Sequence, residues 1–162
     1  MEIRRARTED FDRIWPIFKE VVSRGDAYAF SPETDRAAAH QIWMEIPAAT
    51  YVAISEGKIV GTYYIKPNQP GLGSHVCNAG FMVASDARGQ GIGRSLGRHA
   101  IAEAVRLGFR AMQFNFVVST NEPAVKLWKS LGFAIAGTLP KAFRHSTLGW
   151  VDVYVMYQWL GD

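Results

Sequence analysis

The sequence predicts a mixed α+β fold built on one central sheet. Apolar residues switch between strand-like and helix-like spacing in the order strand, two helices, three strands, helix, strand, helix, two strands. A strand ending Phe81-Met82-Val83 passes through a glycine-rich stretch directly into a helical pattern and then another strand, which makes a strand–helix–strand unit. The chain has 162 residues, 48% hydrophobic and 20% charged, the size and composition of a single core-forming domain over 1–162.

Ile3 to Ala6 reads as the first strand. Thr8-Glu9-Asp10 reads as an N-cap with an acidic first turn, and Phe11, Ile14, Ile17, Phe18 and Val21 then recur at helical spacing to about Arg24. The stretch 25–32 is a loop carrying Tyr28 and Phe30. Ser31-Pro32-Glu33 and Thr34 start a second helix that runs through about Met44 and is ended by Pro47. Thr50 to Ser55 and Ile59 to Lys66 alternate as strands around a Glu56-Gly57-Lys58 turn. Pro67 to Ser74 has loop chemistry, and His75 to Ala84 is a long strand. The next helix, starting near Gly91, is expected to bury Ile92, Leu96, Ala100, Ala104 and Leu107 and to stop at Gly108. Ala111 to Val118 shows little alternation, as in a central strand covered on both faces. Asn121 to Leu131 is a short helix ended by Gly132. Phe133 to Thr138 and Trp150 to Trp159 close the sheet.

Composition narrows the function. No apolar run approaches a membrane span, and Met1-Glu2-Ile3-Arg4-Arg5 has no secretory h-region, so a cytoplasmic protein without a membrane partner is expected. The single cysteine, Cys77, excludes an internal disulfide and a multi-thiolate site. The four histidines show no metal-ligand spacing, so no metal is expected. The net charge of +3 is small, and a modest basic cluster around Arg88, Arg94, Arg98, Arg106 and Arg110 suits an anionic small molecule better than nucleic acid.

Arg88-Gly89-Gln90-Gly91-Ile92-Gly93-Arg94 is the most informative stretch. Its glycines remove side chains where a phosphate needs backbone N–H groups, and a helix starting there turns its positive end toward that phosphate. Arg88 and Arg94 add charge in fork geometry. The string is neither a P-loop nor a dinucleotide fingerprint, whose third glycine would come one residue later. A solvated glycine-rich helix start is the alternative.

The stretch resembles the acyl-CoA loop of the GNAT superfamily of N-acyltransferases. Asn121-Glu-Pro-Ala124-Val-Lys-Leu127-Trp128-Lys-Ser-Leu-Gly132-Phe133 is similar to a second segment of that superfamily, which a structural turn would not require. The resemblance implies a GNAT fold of about seven strands and four helices, with strands four and five splayed around the cofactor. It implies acetyl-CoA as co-substrate, a small-molecule amine as acceptor and an assembly that is often a dimer. Arg88, Gly89, Gln90, Gly91, Ile92, Gly93 and Arg94 would hold the diphosphate. Backbone groups around Met82 to Ala84, Met82 and Val83 first, would bind the pantetheine arm, and an N–H there would polarise the thioester carbonyl. Asn121, Ala124 and Trp128 would flank that arm.

Asn78 and Asn115 stand in the two strands that would splay. Asn is poor in strand interiors, and a buried Asn must satisfy both donor and acceptor. Either the pair meets a substrate's carboxylate and amine, or each mends a bulge or bonds a loop. His-Val-Cys-Asn78-Ala-Gly-Phe and Phe-Asn115-Phe-Val resemble the azetidine-2-carboxylate acetyltransferase family within GNAT, which implies the substrate role for both and a place in amino-acid analogue detoxification. Trp128 stands where many GNAT enzymes have the tyrosine that protonates the leaving thiolate, and an indole N–H cannot do this at neutral pH. Tyr63, Tyr64 or solvent would then serve. His75, His145, Glu33 and Asp35 are the candidate bases, and Lys66 or Arg144 the candidate carboxylate anchors. Tyr28 and Phe30 would wall the acceptor site or pack in the core. Protein N-terminal or polyamine acetylation, and acyl-CoA sensing without turnover, are the rival functions.

Overall fold

The computed structural model describes residues 1–161. Seven strands form one sheet in the order β1-β2-β3-β4-β5-β7-β6. β1 (Glu2–Arg5), β2 (Ala49–Ser55), β3 (Lys58–Pro67) and β4 (Val76–Val83) pair antiparallel in sequence order. β5 (Ala111–Val118) lies parallel to β4, and α3 (Ile92–Arg106) supplies the crossover that such a pair requires. β7 (Gly149–Trp159) pairs with β5, which leaves β6 (Ala134–His145) at the edge.

Strand alternation divides the core. Val52, Ile59 and Tyr64 meet Phe11, Ile14, Phe18 and Val22 of α1 (Phe11–Ser23), with Trp43 at the centre of that layer. Their neighbours Tyr51, Ala53, Tyr63 and Ile65 meet α3 and α4 (Glu122–Ser130) on the other face. On α3 the inward positions Ile92, Leu96, Ala100 and Ala104 are each buried. Leu107 is not: the helix ends at Arg106, Gly108 reverses the chain at φ +90°, and Leu107 is left 37% exposed.

Other expectations shift at element ends. Thr8–Asp10 is a 3-10 turn, and the capping group is Asp10, whose carboxylate accepts from the Arg7 N–H at 2.6 Å and from Arg4 at 2.7 Å. The second helix starts at Arg36, five residues beyond Ser31. Asp35 caps α2 (Arg36–His40) by accepting from the Ala38 N–H at 2.8 Å, and α2 passes into a π turn at Gln41–Glu45. Ser31–Thr34 closes a turn of its own, with the Thr34 N–H on the Ser31 carbonyl. β6 runs on past Thr138 to His145. Pro140 falls within it, and on an edge strand it interrupts no inner ladder. The pairing instead skips between Leu139 and Phe143, and Asp152 takes the freed Lys141 N–H at 2.9 Å.

Candidate active site

β4 and β5 pair only from Val76 to Asn78 and then part. The backbone directions follow from the bonds on either side. Val76 accepts from Asn68 and Ala84 donates to Val60, so even-numbered β4 residues face β3. His75 accepts from Arg110 on the β5 side, so odd-numbered residues face the gap. Beyond the split, Ala79, Phe81 and Val83 therefore turn N–H and C=O groups into the opening. Val83 is one of them. Met82 is not: its backbone faces β3 and its side chain is 2% exposed against the α1 layer. Phe81 takes its place on the open edge.

A cleft of about 330 Å³ occupies the gap. Asn78, Asn115, Asn121, Ala124 and Trp128 all line it, together with Tyr28, Lys66 and Phe81. Asn78 is 7% exposed; it donates to the Gln113 carbonyl at 3.0 Å and accepts from the Tyr64 hydroxyl at 3.3 Å. Gly80 allows that second contact. A Cβ there would sit 2.6 Å from the Tyr64 ring, so only glycine lets the ring cross β4 to reach Asn78. Asn115 is exposed and lies where the β5–β7 ladder skips from Phe114 to Val117. It accepts from Gln113 Nε2 at 2.9 Å and donates to Asn68 Oδ1 at 2.7 Å. Asn115 thus occupies a bulge, bonds a loop and faces the cleft at once. One N–H and one lone pair of its amide remain for a ligand. The bulge also leaves β5 uncovered here, unlike the fully enclosed strand that its composition implies.

The glycine stretch follows Val83 after a 3-10 turn at Ser85–Ala87. Gly89 and Gly91 adopt φ of +75° and +77°, and Gly91 precedes the first turn of α3. A side chain at either would be strained, and the bend leaves the first N–H groups of α3 facing outward. Arg88, Gln90 and Arg94 are exposed around them. Arg94 reaches Ser130 Oγ at 3.0 Å, which sets its guanidinium beside α4. The Ile92 side chain is in the core, so that residue offers only its backbone. A second cavity of about 520 Å³ adjoins Arg88, Gly89 and Asn121 and is closed by Arg24, Asp26 and His145.

Residues 8–133 match the family described as the acetyltransferase (GNAT) family. The chain belongs to the GNAT family. The solved GCN5-related N-acetyltransferase from Kribbella flavida is 47% identical, with 98% of this chain and 96% of that one covered at a TM-score of 0.93. The L-amino acid N-acetyltransferase AaaT of Escherichia coli is 30% identical over 95% of this chain and 94% of its own length. N-acetyltransferase aca1 of Schizosaccharomyces pombe is 43% identical over 102 residues, 62% of this chain. The chain spans about half of the length of aca1, at 48%. Solved neighbours of the same GNAT fold hold acetyl-CoA.

Of the acid–base candidates, none of His75, His145, Glu33 and Asp35 lines the cleft. Trp128 is 8% exposed, its ring 4.7 Å from Phe81 and 4.6 Å from Phe114, and forms an aromatic wall without a proton to give. His75 stands at the closed end of β4, edge-on to Trp159 and away from the cleft. Asp35 is used as a helix cap, and neither it nor Glu33 lines the cleft. His145 lies at the second cavity, its Nδ1 accepting from the Thr147 and Leu148 N–H groups at 3.1 Å. Arg144 lies on the β6 edge, outside the cleft. Cys77 is fully buried, and burial pushes its thiol up to about 12, which removes it as a nucleophile. The Tyr63 hydroxyl is held by His99 at 2.6 Å on the α3 face. Sequence reasoning missed Asn68 and the contact of Tyr28 with Phe81. Asn68 carries no signal beyond loop composition, and the Tyr28 contact joins residues 53 positions apart.

Proposed function

We propose that this protein acetylates the amine of an amino acid or amino-acid analogue, with proline-like compounds such as azetidine-2-carboxylate among its acceptors. One observation carries the reading: Lys66 is the one charged side chain on the walls of the cleft among the described residues, and no carboxylate accompanies it. A polyamine would need acidic walls. An amino acid brings its own carboxylate, which Lys66 attracts while Asn78 and Asn115 fix the orientation with uncharged donors and acceptors. The name of AaaT, an L-amino acid N-acetyltransferase, supports the same acceptor class.

Acetyl-CoA would lie with its diphosphate on the amides of Gly89 to Arg94 and its arm along Val83, flanked by Asn121, Ala124 and Trp128. Arg88 and Gln90 complete the phosphate cradle. The acceptor nitrogen, neutral at attack, forms the N–C bond while the carbonyl π pair moves onto oxygen. That pair then returns and the C–S bond breaks, leaving CoA thiolate. A thiol pKa of about 8.5 makes thiolate a competent leaving group without an acid, so Trp128 is compatible with turnover. Binding and orientation supply the acceleration, and solvent takes the amine proton.

CoA thiol release should be followed with L-amino acids, azetidine-2-carboxylate, an N-terminal peptide and spermidine as acceptors. Release with amino acids but not with spermidine is expected. Lys66→Met should raise the amino-acid KM and abolish the preference over the matching amino-acid amide. Turnover of spermidine or the peptide in preference would overturn the acceptor class. Acetyl-CoA binding without release on any acceptor would make the protein a sensor.

A further inference from the structure

We propose that the Tyr28 hydroxyl is a second hydrogen-bond donor to the thioester carbonyl oxygen, alongside the Phe81 N–H, and so a catalytic residue. The inference rests on the acetyl-CoA reading above. Three open-edge residues follow the split, and their order along β4 assigns them. Val83, the last of them, precedes the glycine stretch and faces the part of the donor that leads to its diphosphate. Phe81 lies two residues deeper and faces the thioester. The Phe81 backbone is engaged by Tyr28: its N–H donates to the Tyr28 hydroxyl at 2.7 Å, and that hydroxyl donates to the Phe81 carbonyl. The Tyr28 oxygen therefore stands where an acyl oxygen would take the same N–H.

An incoming carbonyl oxygen displaces the phenol oxygen by about one hydrogen-bond length, and the O–H is then aimed at the newcomer. Two donors on one oxygen meet the need of the tetrahedral intermediate, whose negative charge develops on that atom. Two further features fit. The ring stacks on Phe30 at 5.6 Å and meets Trp43 edge-on at 6.4 Å, which holds it at the edge. Burial raises the phenol well above its ordinary pKa, so it stays a neutral donor and does not ionise against the oxyanion. The neighbouring hydroxyls are committed elsewhere, Tyr64 to Asn78 and Tyr63 to His99. No proton leaves Tyr28 in this step, since the charge it stabilises returns to the carbonyl as the C–S bond breaks.

The test is the carbonyl stretch of acetyl-CoA labelled with ¹³C at the carbonyl, by difference infrared spectroscopy on the bound complex. No acceptor is needed, so the acceptor assignment does not enter. The wild-type complex should show the band shifted to lower frequency, and Tyr28→Phe should lose much of that shift with acetyl-CoA affinity within threefold. Where Tyr28→Phe fails to fold, 3-fluorotyrosine at position 28, a stronger donor, should move the band further down. An unchanged band in either variant would overturn the role and leave the acetyl-CoA reading intact. A tenfold gain in affinity for Tyr28→Phe would make the hydroxyl a plug and also overturn it. Failure of the wild type to bind acetyl-CoA would end both readings.

Discussion

The side-chain amide of Asn115 donates to Asn68 Oδ1 across 2.7 Å and joins the bulge of β5 to the loop after β3. This bond bridges the closed end of the cleft, where β4 and β5 have just parted. It orients Asn115 from outside the ladder, because residues 115 and 116 have no partners on β7. Asn115→Ala should lower kcat/KM for an amino acid by ~10- to 100-fold, the scale of one or two lost polar contacts. Acetyl-CoA affinity should stay within twofold. Asn68→Ala keeps the contacting amide but frees its orientation, so a smaller loss is expected. Steady-state kinetics with calorimetric titration of acetyl-CoA would check both, and equal damage to acceptor and donor binding would count against the acceptor role.

Arg94 projects from the first turn of α3 and is held by Ser130 at the end of α4. A charge-assisted bond to a diphosphate oxygen contributes about 1.5–3 kcal/mol, and reversing the charge adds repulsion at the same place. Arg94→Glu should therefore weaken acetyl-CoA by at least ~10-fold, with the larger effect at low ionic strength because exposed charges are screened by salt. Ser130→Ala should cost much less, since it removes only the brace. Unchanged affinity for Arg94→Glu would place the diphosphate elsewhere.

Much of this was legible in the sequence for a local reason. Periodicity shows which face of an element is apolar, so element order emerges without knowledge of partners. Gly89 and Gly91 are visible because a left-handed backbone demands a particular residue type. What escaped depends on distant pairs. The part of β6 beyond Thr138 emerges only once β6 is known to be an edge strand, where Pro140 is tolerated. Met82 and Val83 look alike in sequence, and only the pairing with β3 shows which of them faces the gap. Asn115 admitted a bulge, a loop contact or a cleft position, and the structure gives it all three.

Among the described residues no histidine or carboxylate lines the cleft walls, and this has a kinetic consequence. Where the amine gives its proton to solvent, as proposed above, the fraction of neutral amine sets the rate. Below the acceptor's amine pKa, log kcat/KM should rise with pH at a slope near one. The inflection should follow the acceptor: an analogue with a less basic amine should shift it downward by the difference in solution pKa. Rate profiles for two acceptors of different basicity would check this. A shared inflection that does not move with the acceptor would reveal a base supplied by the enzyme.

Glu103 on α3 supports the opposite side of the sheet. Its carboxylate accepts from Arg106 at 2.8 and 2.9 Å and from the Tyr51 hydroxyl at 2.7 Å. Those donors, Arg106 first, hold its pKa down at about 2 against an ordinary 4.5. The folded state thus binds this proton less readily than the unfolded chain. The stabilisation is fully present above the ordinary value and drains away as pH falls from about 4.5 through about 2. Asp10, lowered by Arg4, adds a loss of the same sign in the acid range. Glu103→Gln keeps the shape and removes the titration. It should be less stable than wild type at pH 7, and the gap should close toward pH 2. Urea midpoints across pH 2–7 would show the two curves converging. Parallel curves would mean that the Glu103 carboxylate is not held by its donors in solution.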